Sequence, residues 1–404
     1  MTHTFPTDPG RVLYAVTDPV TALAFLRGQL AYVRSQNFEV HLACGGSAEL
    51  EMFAAAEGIV LHDVPLSRRW LAMRDIVSLV RAVRLMRRVR PTVLNYSTPK
   101  ASAVWAIASW FARPSLVVYL LRGLRLEGEK PNRPGFIVLW VMELLACRSA
   151  HVTVCVSMSL RLRALGLRIT DPTKAVVLGE GSSNGVDADR FVSASTEVMR
   201  NVRESLALKE DDFVLGFVGR LTLDKGLEQL LDAVQELADC SNLKCLLVGS
   251  PEAGFNLDNL VEQRPGLRER IVHVSTAGAI ESYYAAMDLF VLPSHREGMS
   301  NALLEAQSMR LPCITTDATG CSDAIEDGVT GVVVPARDTV SLAKAIQRLM
   351  EAPALRARMG EAGRRRVKER FKPERLWREY VELYRCRTEG LPGMPQQQNP
   401  NVGV

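Results

Sequence analysis

Between residues 293 and 305 the chain reads Pro-Ser-His-Arg-Glu-Gly-Met-Ser-Asn-Ala-Leu-Leu-Glu, which sets two carboxylates, Glu297 and Glu305, eight positions apart. An apolar run just before it, Asp288 to Leu292, reads as a buried strand. Just after it, Asn301 to Met309 has helical spacing, and Ser300 is a suitable N-cap. Glu297 therefore belongs to a strand-to-helix turn, and Glu305 lies about a turn and a half inside the helix. Asn301 and Glu305, four apart, share a helix face. The backbone N–H groups of Gly298, Met299 and Ser300 lack intrahelical partners and, with the helix dipole, favour an anion. A phosphate held there, with carboxylates on either side to accept hydroxyl hydrogen bonds, fits a nucleotide sugar. The segment alone is equally consistent with an ordinary strand-turn-helix unit, in which glycine and early-turn glutamate are common.

A second signal lies some seventy residues earlier. Asp212 to Gly219 is a strand-like run ending in glycine, followed by Arg220, a short loop, and Lys225-Gly226 at the head of an amphipathic helix (Leu227, Leu230, Leu231, Val234, Leu237). In a doubly wound sheet, cations at the carboxyl end of a strand sit where such sheets bind ligands. Arg plus Lys can neutralise a diphosphate leaving group without a metal. The competing reading is a solvated helix entrance.

Together, Gly-Arg-x4-Lys-Gly and Glu-Gly-x2-Asn-x2-Leu-Glu resemble family 4 of the retaining glycosyltransferases of GT-B fold, and the resemblance extends over nearly the whole chain. Asn184-Gly185-Val186-Asp187 is similar to the family's interdomain hinge, and Phe371-Lys372-Pro373-Glu374-Arg375-Leu376 to the segment that crosses back to the first domain. Phe25-Leu26-Arg27-x-Gln29, Ser97-Thr98-Pro99-Lys100-Ala101, Leu121-Arg122-Gly123-Leu124-Arg125 and Gly181-Ser182-Ser183-Asn184-Gly185 resemble the branch that builds capsule, O-antigen and other lipid-linked saccharides. The resemblance implies an α/β fold of two facing Rossmann-like domains with a central cleft. Residues 1–187 would bind the acceptor and 188–370 the nucleotide sugar, with 371–389 a helix crossing back and 390–404 a disordered tail. It implies Arg220 and Lys225 on the donor diphosphate, Glu297 facing the transferred sugar, and Glu305 on the ribose. Gly219, Gly298, Met299, Ser300 and Asn301 complete the donor site. Many relatives carry His-Gly where this chain has Arg122-Gly123, so no histidine role is carried over. Lys100, Arg122 and Arg125 are candidates for an acceptor phosphate, the alternative for the arginines being exposed loop charge.

The implied reaction moves a sugar from a nucleoside-diphosphate sugar, UDP being the family's commonest choice, to a polyprenyl-diphosphate-linked or other saccharide, with retention. A UDP-sugar epimerase or hydrolase, or a non-catalytic nucleotide-sugar binding module, remains open. No metal or cofactor is expected. Asp187-Ala188-Asp189 matches an Asp-x-Asp metal motif formally but falls in the hinge, and six dispersed histidines give no ligand spacing. The eight cysteines include no Cys-x2-Cys pair and read as free thiols of a reducing compartment.

The chain has 404 residues, 47% of them hydrophobic and 23% charged, which suits two soluble domains. Residues 1–10 are polar and show no signal peptide, and the longest apolar stretches, Ala101 to Ala112 and Phe136 to Leu145, are short of the ~20 residues a bilayer requires. Charge is uneven: residues 1–187 hold 22 Lys+Arg against 14 Asp+Glu (net +8), and the remainder 27 against 31 (net −4). The excess is densest at Arg81, Arg84, Arg87, Arg88 and Arg90, on a helix whose Leu79, Val80, Val83 and Met86 share a face. Such a helix either packs its apolar stripe on a sheet or lies on an anionic membrane. The expected location is cytoplasmic, with peripheral contact on the inner face of the membrane; no stacking aromatics interleave the arginines, which argues against nucleic acid.

Strand-like runs alternate with helix-length segments twice over. The first set is Arg11 to Val16, Glu39 to Cys44, Ile59 to Val64, Thr92 to Tyr96, Ser115 to Leu120 and His151 to Val156. The second starts at Phe213 and continues with Lys244 to Gly249, Ile271 to Val274, Asp288 to Leu292, Pro312 to Thr316 and Gly331 to Val334. Intervening helices are expected at Thr21 to Ser35, Arg74 to Arg88 and Ala101 to Ala112, and the alternation predicts parallel sheets covered on both faces.

Overall fold

Runs such as Leu-Val-Val-Tyr-Leu-Leu at 116–121 and Phe-Val-Leu-Gly-Phe-Val at 213–218 are apolar at every position, and every residue in them is buried. Continuous apolarity is what a strand covered on both faces requires, so these segments become central strands of parallel sheets. The computed structural model describes residues 10–66, 73–131, 133–192, 196–275 and 279–388. Its first sheet contains β1 (Arg11–Ala15), β2 (Glu39–Cys44), β3 (Val60–Asp63), β4 (Val93–Ser97), β5 (Leu116–Leu121), β6 (Val152–Cys155) and β7 (Ala175–Val176). They pair in parallel in the order β3-β2-β1-β4-β5-β6-β7.

The second sheet contains β8 (Phe213–Val218), β9 (Leu243–Val248), β10 (Ile271–Val274), β11 (Leu289–Leu292), β12 (Cys313–Thr316) and β13 (Gly331–Val334). Its order, β10-β9-β8-β11-β12-β13, is also parallel throughout. Each sheet reverses its strand order once, at β1/β4 and at β8/β11. Connections leave those pairs in opposite directions and open a crevice at the carboxyl ends. Two Rossmann-like domains thus face one another, as the resemblance implies.

The strands fall within one residue of their sequence expectation, except β7, whose two residues are too few to carry a pattern. The helix expected from Thr21 to Ser35 is two helices, Pro19–Phe25 and Gln29–Ser35. The break falls at Gly28 (φ +76°), where the ring of Trp377 occupies the space a side chain would need. The Glu57 carboxylate caps the second helix, accepting from Gly28 N at 2.7 Å and Ala31 N at 2.8 Å. On helix Met73–Val89 the buried stripe runs through Ala82, Leu85, Met86 and Val89. Val80 faces outward with Ile76 and Val77, because the neighbouring helix Pro99–Ala112 covers a different face from the one its spacing suggested.

The chain passes between domains twice, side by side: Val186 N donates to Phe371 O at 2.9 Å. Helix Pro373–Thr388 then packs on the first domain. There Asn95 Nδ2 donates to Tyr384 Oη at 2.8 Å, Tyr384 Oη lies 3.0 Å from Tyr14 Oη, and Gly179 N donates to Glu379 at 2.6 Å. Asp187 caps the hinge, its Oδ1 accepting from Asp189 N at 3.0 Å and Arg190 N at 3.1 Å. All eight cysteines are free. Among the described residues no helix is long and apolar enough to cross a membrane. The tail from 390 to 404 and the side chain of Lys100 lie outside the described residues.

Candidate active site

Four strand ends build one cavity of about 220 Å³ between the domains. From the first domain come Thr98 after β4, and Tyr119, Arg122, Gly123, Leu124 and Arg125 on and after β5. From the second come Arg220, Asp224 and Lys225 after β8, and Arg296, Glu297 and Gly298 after β11. Since β8 and β11 flank the reversal of strand order, their following loops necessarily meet. His295 N donates to Asp224 O at 2.9 Å, tying the Leu223–Lys225 turn to the loop that carries Glu297.

That tie puts opposite charges in contact. Lys225 Nζ donates to Glu297 Oε1 at 2.5 Å, and both side chains are largely withdrawn from solvent. Ser294 Oγ donates to the same oxygen at 2.9 Å. Arg296 Nη2 meets Asp224 Oδ2 at 2.8 Å. Burial would raise the Asp224 carboxyl, but the Thr222 hydroxyl and the charges of Arg296, Lys225 and Arg220 bring it below its ordinary value. Arg220 is more open and pairs with Glu252 at 2.8 Å.

The domains also touch directly beside the cavity. Ser157 Oγ donates to Gly298 O at 2.6 Å, Ser159 N to Asp323 Oδ1 at 2.9 Å, and Thr319 Oγ1 to Glu127 Oε1 at 3.0 Å. At Gly298 the two backbones approach closely: a Cβ there would stand 1.8 Å from Arg122 O.

Of the residues singled out in the sequence, Arg220, Lys225, Glu297, Gly298, Arg122 and Arg125 line this one cavity. Glu305, Asn301, Met299, Ser300 and Gly219 are not among its lining. Ser300 is the N-cap of helix Asn301–Ser308, accepting from Leu303 N at 3.3 Å, and Met299 is buried. Glu305 accepts from Tyr284 Oη at 2.9 Å; burial pushes its carboxyl up against that hydrogen bond and the charge of Arg190. Asn301 Oδ1 is buried on the same helix face, with no hydrogen-bond partner among the described residues. Of the two alternatives for the loop arginines, Arg125 is exposed whereas the Arg122 guanidinium is enclosed.

Asp224, Arg296, Thr98 and Tyr119 belong to the cavity but were not anticipated. Arg296 could have been suspected, because it adjoins Glu297 in the motif; Tyr119 looks like any strand residue until the cleft is known. Tyr119 Oη donates to the buried Glu143 at 2.5 Å. Burial pushes the Glu143 carboxyl up to about 7, with Tyr119 and Arg125 pulling the other way. A raised carboxyl contributes stability in full below its unfolded value of 4.5, and that contribution is lost as pH rises through about 7. Glu143→Gln should therefore remove about 3 kcal/mol of the stability lost between pH 4.5 and 8.5. Urea unfolding of both proteins across that range measures it, and parallel pH profiles would contradict it.

Residues 26–190 match the family model described as Glycosyltransferase Family 4, and residues 198–366 match Glycosyl transferases group 1. The chain is 32% identical over 368 residues to the capsular polysaccharide biosynthesis glycosyltransferase CapM of Staphylococcus aureus, spanning 90% of this chain and 94% of that one. It is 25% identical over 325 residues, 80% of this chain and 82% of the other, to the Escherichia coli UDP-Gal:alpha-D-GlcNAc-diphosphoundecaprenol alpha-1,3-galactosyltransferase. Among solved structures, Anabaena Alr3699/HepE in complex with UDP and glucose superposes with a TM-score of 0.77 at 20% identity, over 92% of this chain and 98% of that one. At that identity the likeness is one of fold.

Proposed function

Because the chain belongs to the family 4 glycosyltransferases of GT-B fold, we propose that it moves a sugar from a UDP-sugar to a saccharide carried on a polyprenyl diphosphate, with retention, in surface polysaccharide synthesis. The observation that carries this reading is the single cavity to which one domain brings Arg220, Lys225 and Glu297 and the other Arg122 and Arg125. Relatives support the finer terms: CapM is named for capsular polysaccharide, and the E. coli enzyme for a UDP-sugar donor and a diphosphoundecaprenol acceptor.

On this reading Arg220 and Lys225 bind the donor diphosphate and stabilise the charge that develops as it departs. Lys225 can do so while still holding Glu297, since an ammonium has three donors. Glu297 accepts hydroxyl hydrogen bonds from the transferred sugar, and the contacts at Gly298 exclude water and fix the acceptor hydroxyl against the anomeric carbon. Asn301 and Glu305, on one face of their helix, hold the ribose.

Thermal shift with UDP, GDP, ADP and dTDP, then incubation with UDP-sugars with and without a polyprenyl-diphosphate sugar, tests the reading. The expected result is stabilisation by UDP and sugar transfer that requires acceptor. Conversion of a UDP-sugar without acceptor would replace it with the epimerase or hydrolase.

A lipid-linked acceptor would bring the enzyme to a membrane surface. Ile76, Val77 and Val80 are exposed on helix Met73–Val89, next to exposed Arg81, Arg84, Arg87 and Arg88. Apolar side chains flanked by arginines suit the interface of an anionic bilayer. Arg81→Glu/Arg84→Glu/Arg87→Glu should abolish co-flotation with vesicles containing phosphatidylglycerol, at about 1 kcal/mol per charge removed. Equal flotation of both proteins, or of wild type with purely zwitterionic vesicles, would refute this contact.

A further inference from the structure

The guanidinium of Arg122 is a charge enclosed without a hydrogen bond. Nε, Nη1 and Nη2 are all buried, and none has a hydrogen-bond partner among the described residues. The ring of Phe25 lies 4.7 Å from its centre, a cation–π contact that replaces only part of the lost hydration. Tyr380, on the helix that returns to the first domain, lies near the same guanidinium. Its hydroxyl is also buried and unpartnered. Two neighbouring donor groups thus lack an acceptor, and Arg122 lines the cleft cavity.

The charges around that cavity indicate what is missing. The cations after β8 and β11 each have a carboxylate: Lys225 with Glu297, Arg296 with Asp224, Arg220 with Glu252. Arg122 has none. A buried unpaired cation is costly, so its partner is expected to arrive with a ligand. The donor diphosphate has Arg220 and Lys225 on the opposite wall, whereas Arg122 stands among first-domain groups, Phe25 and Tyr380. Resting on the acceptor proposed above, we infer that Arg122 and the Tyr380 hydroxyl bind a phosphate oxygen of the acceptor, with Arg125 at the cavity mouth as a further cation. The bidentate fork of arginine matches that oxyanion. Arg122 is then a specificity residue that separates phosphate-linked acceptors from neutral glycosides.

Geranyl diphosphate is a probe that needs no knowledge of the acceptor sugar. Calorimetric titration would use the full chain as wild type, Arg122→Leu, Arg122→Lys, Arg220→Ala/Lys225→Ala, and the triple variant combining Arg122→Leu with the last. The Arg220→Ala/Lys225→Ala protein should still bind geranyl diphosphate, and adding Arg122→Leu should weaken it about 30-fold. Arg122→Lys should fall between. UDP affinity should drop with Arg220→Ala/Lys225→Ala but stay within about twofold in Arg122→Leu, whose unliganded melting temperature should not fall, since an unpaired buried charge has been removed. Geranyl diphosphate binding indifferent to Arg122, or UDP affinity lost with Arg122→Leu, overturns the inference. So does UDP-glucuronate binding tighter than UDP-glucose to wild type but not to Arg122→Leu, which would give Arg122 to a donor carboxylate. Failure of UDP to bind any of these proteins would sink the proposed donor instead, and the geranyl diphosphate comparison would still decide Arg122.

Discussion

Lys225→Ala should lower turnover at saturating donor by about 10²–10³-fold, the scale for removing one preorganised stabiliser of developing charge. Two effects add in the same direction. On the proposed reading, the departing diphosphate loses a cation that is shielded from water, where its field is strongest. Glu297, 2.5 Å from Lys225 Nζ, is left as a carboxylate with no counter-charge beside an incoming dianion. Lys225→Arg should recover part of the rate, because charge survives but the short contact to Glu297 does not. Arg220→Ala should cost about 10²-fold, at the lower end of that range, since its side chain is open to solvent and shares a rim contact with Glu252. Initial rates with saturating UDP-sugar decide both, and near-wild-type turnover in the two variants would remove these residues from the mechanism.

Gly298→Ala should cost about 10²-fold in turnover while leaving each domain folded and donor affinity within a few-fold of wild type. The added methyl would stand 1.8 Å from Arg122 O and 3.0 Å from a Val156 methyl. A backbone carbonyl cannot swing aside as a side-chain tip can, so the domains must part by roughly an ångström or more. That displacement breaks the 2.6 Å bond from Ser157 Oγ to Gly298 O and moves acceptor groups away from donor groups, and misplacement on this scale is worth about 10² in rate. UDP affinity beside kcat separates this effect from lost donor binding. Wild-type turnover would mean that the two backbones need not approach this closely during reaction.

The architecture was legible because parallel strands bury both faces. Segments such as Leu116–Leu121 and Phe213–Val218 need no partner information to be recognised. Helix termination at Gly28 was not, because the reason lies in Trp377 and Glu57, remote in sequence. The outward turn of Val80 depends on which neighbour covers its helix, which periodicity does not encode. At the site, Arg220, Lys225 and Glu297 could be picked out because each follows a strand-like run, at the carboxyl end where doubly wound sheets bind ligands. Asp224 and Arg296 escaped notice because their pairing exists only once the loops after β8 and β11 meet. Arg122 carried two alternatives, and enclosure, a property of the folded cleft, distinguishes it from the exposed Arg125.

The return of helix Pro373–Thr388 to the first domain has a consequence for biosynthesis. Tyr14 and Tyr384, 370 residues apart, meet in one aromatic core with Asn95. While the ribosome is still translating, the amino-terminal half is without that helix, whereas strands β8 to β13 have already emerged. The usual vectorial order, in which the leading domain completes first, is therefore inverted here. The second domain can settle co-translationally, and the half made first completes its aromatic core only when residues 373–388 arrive.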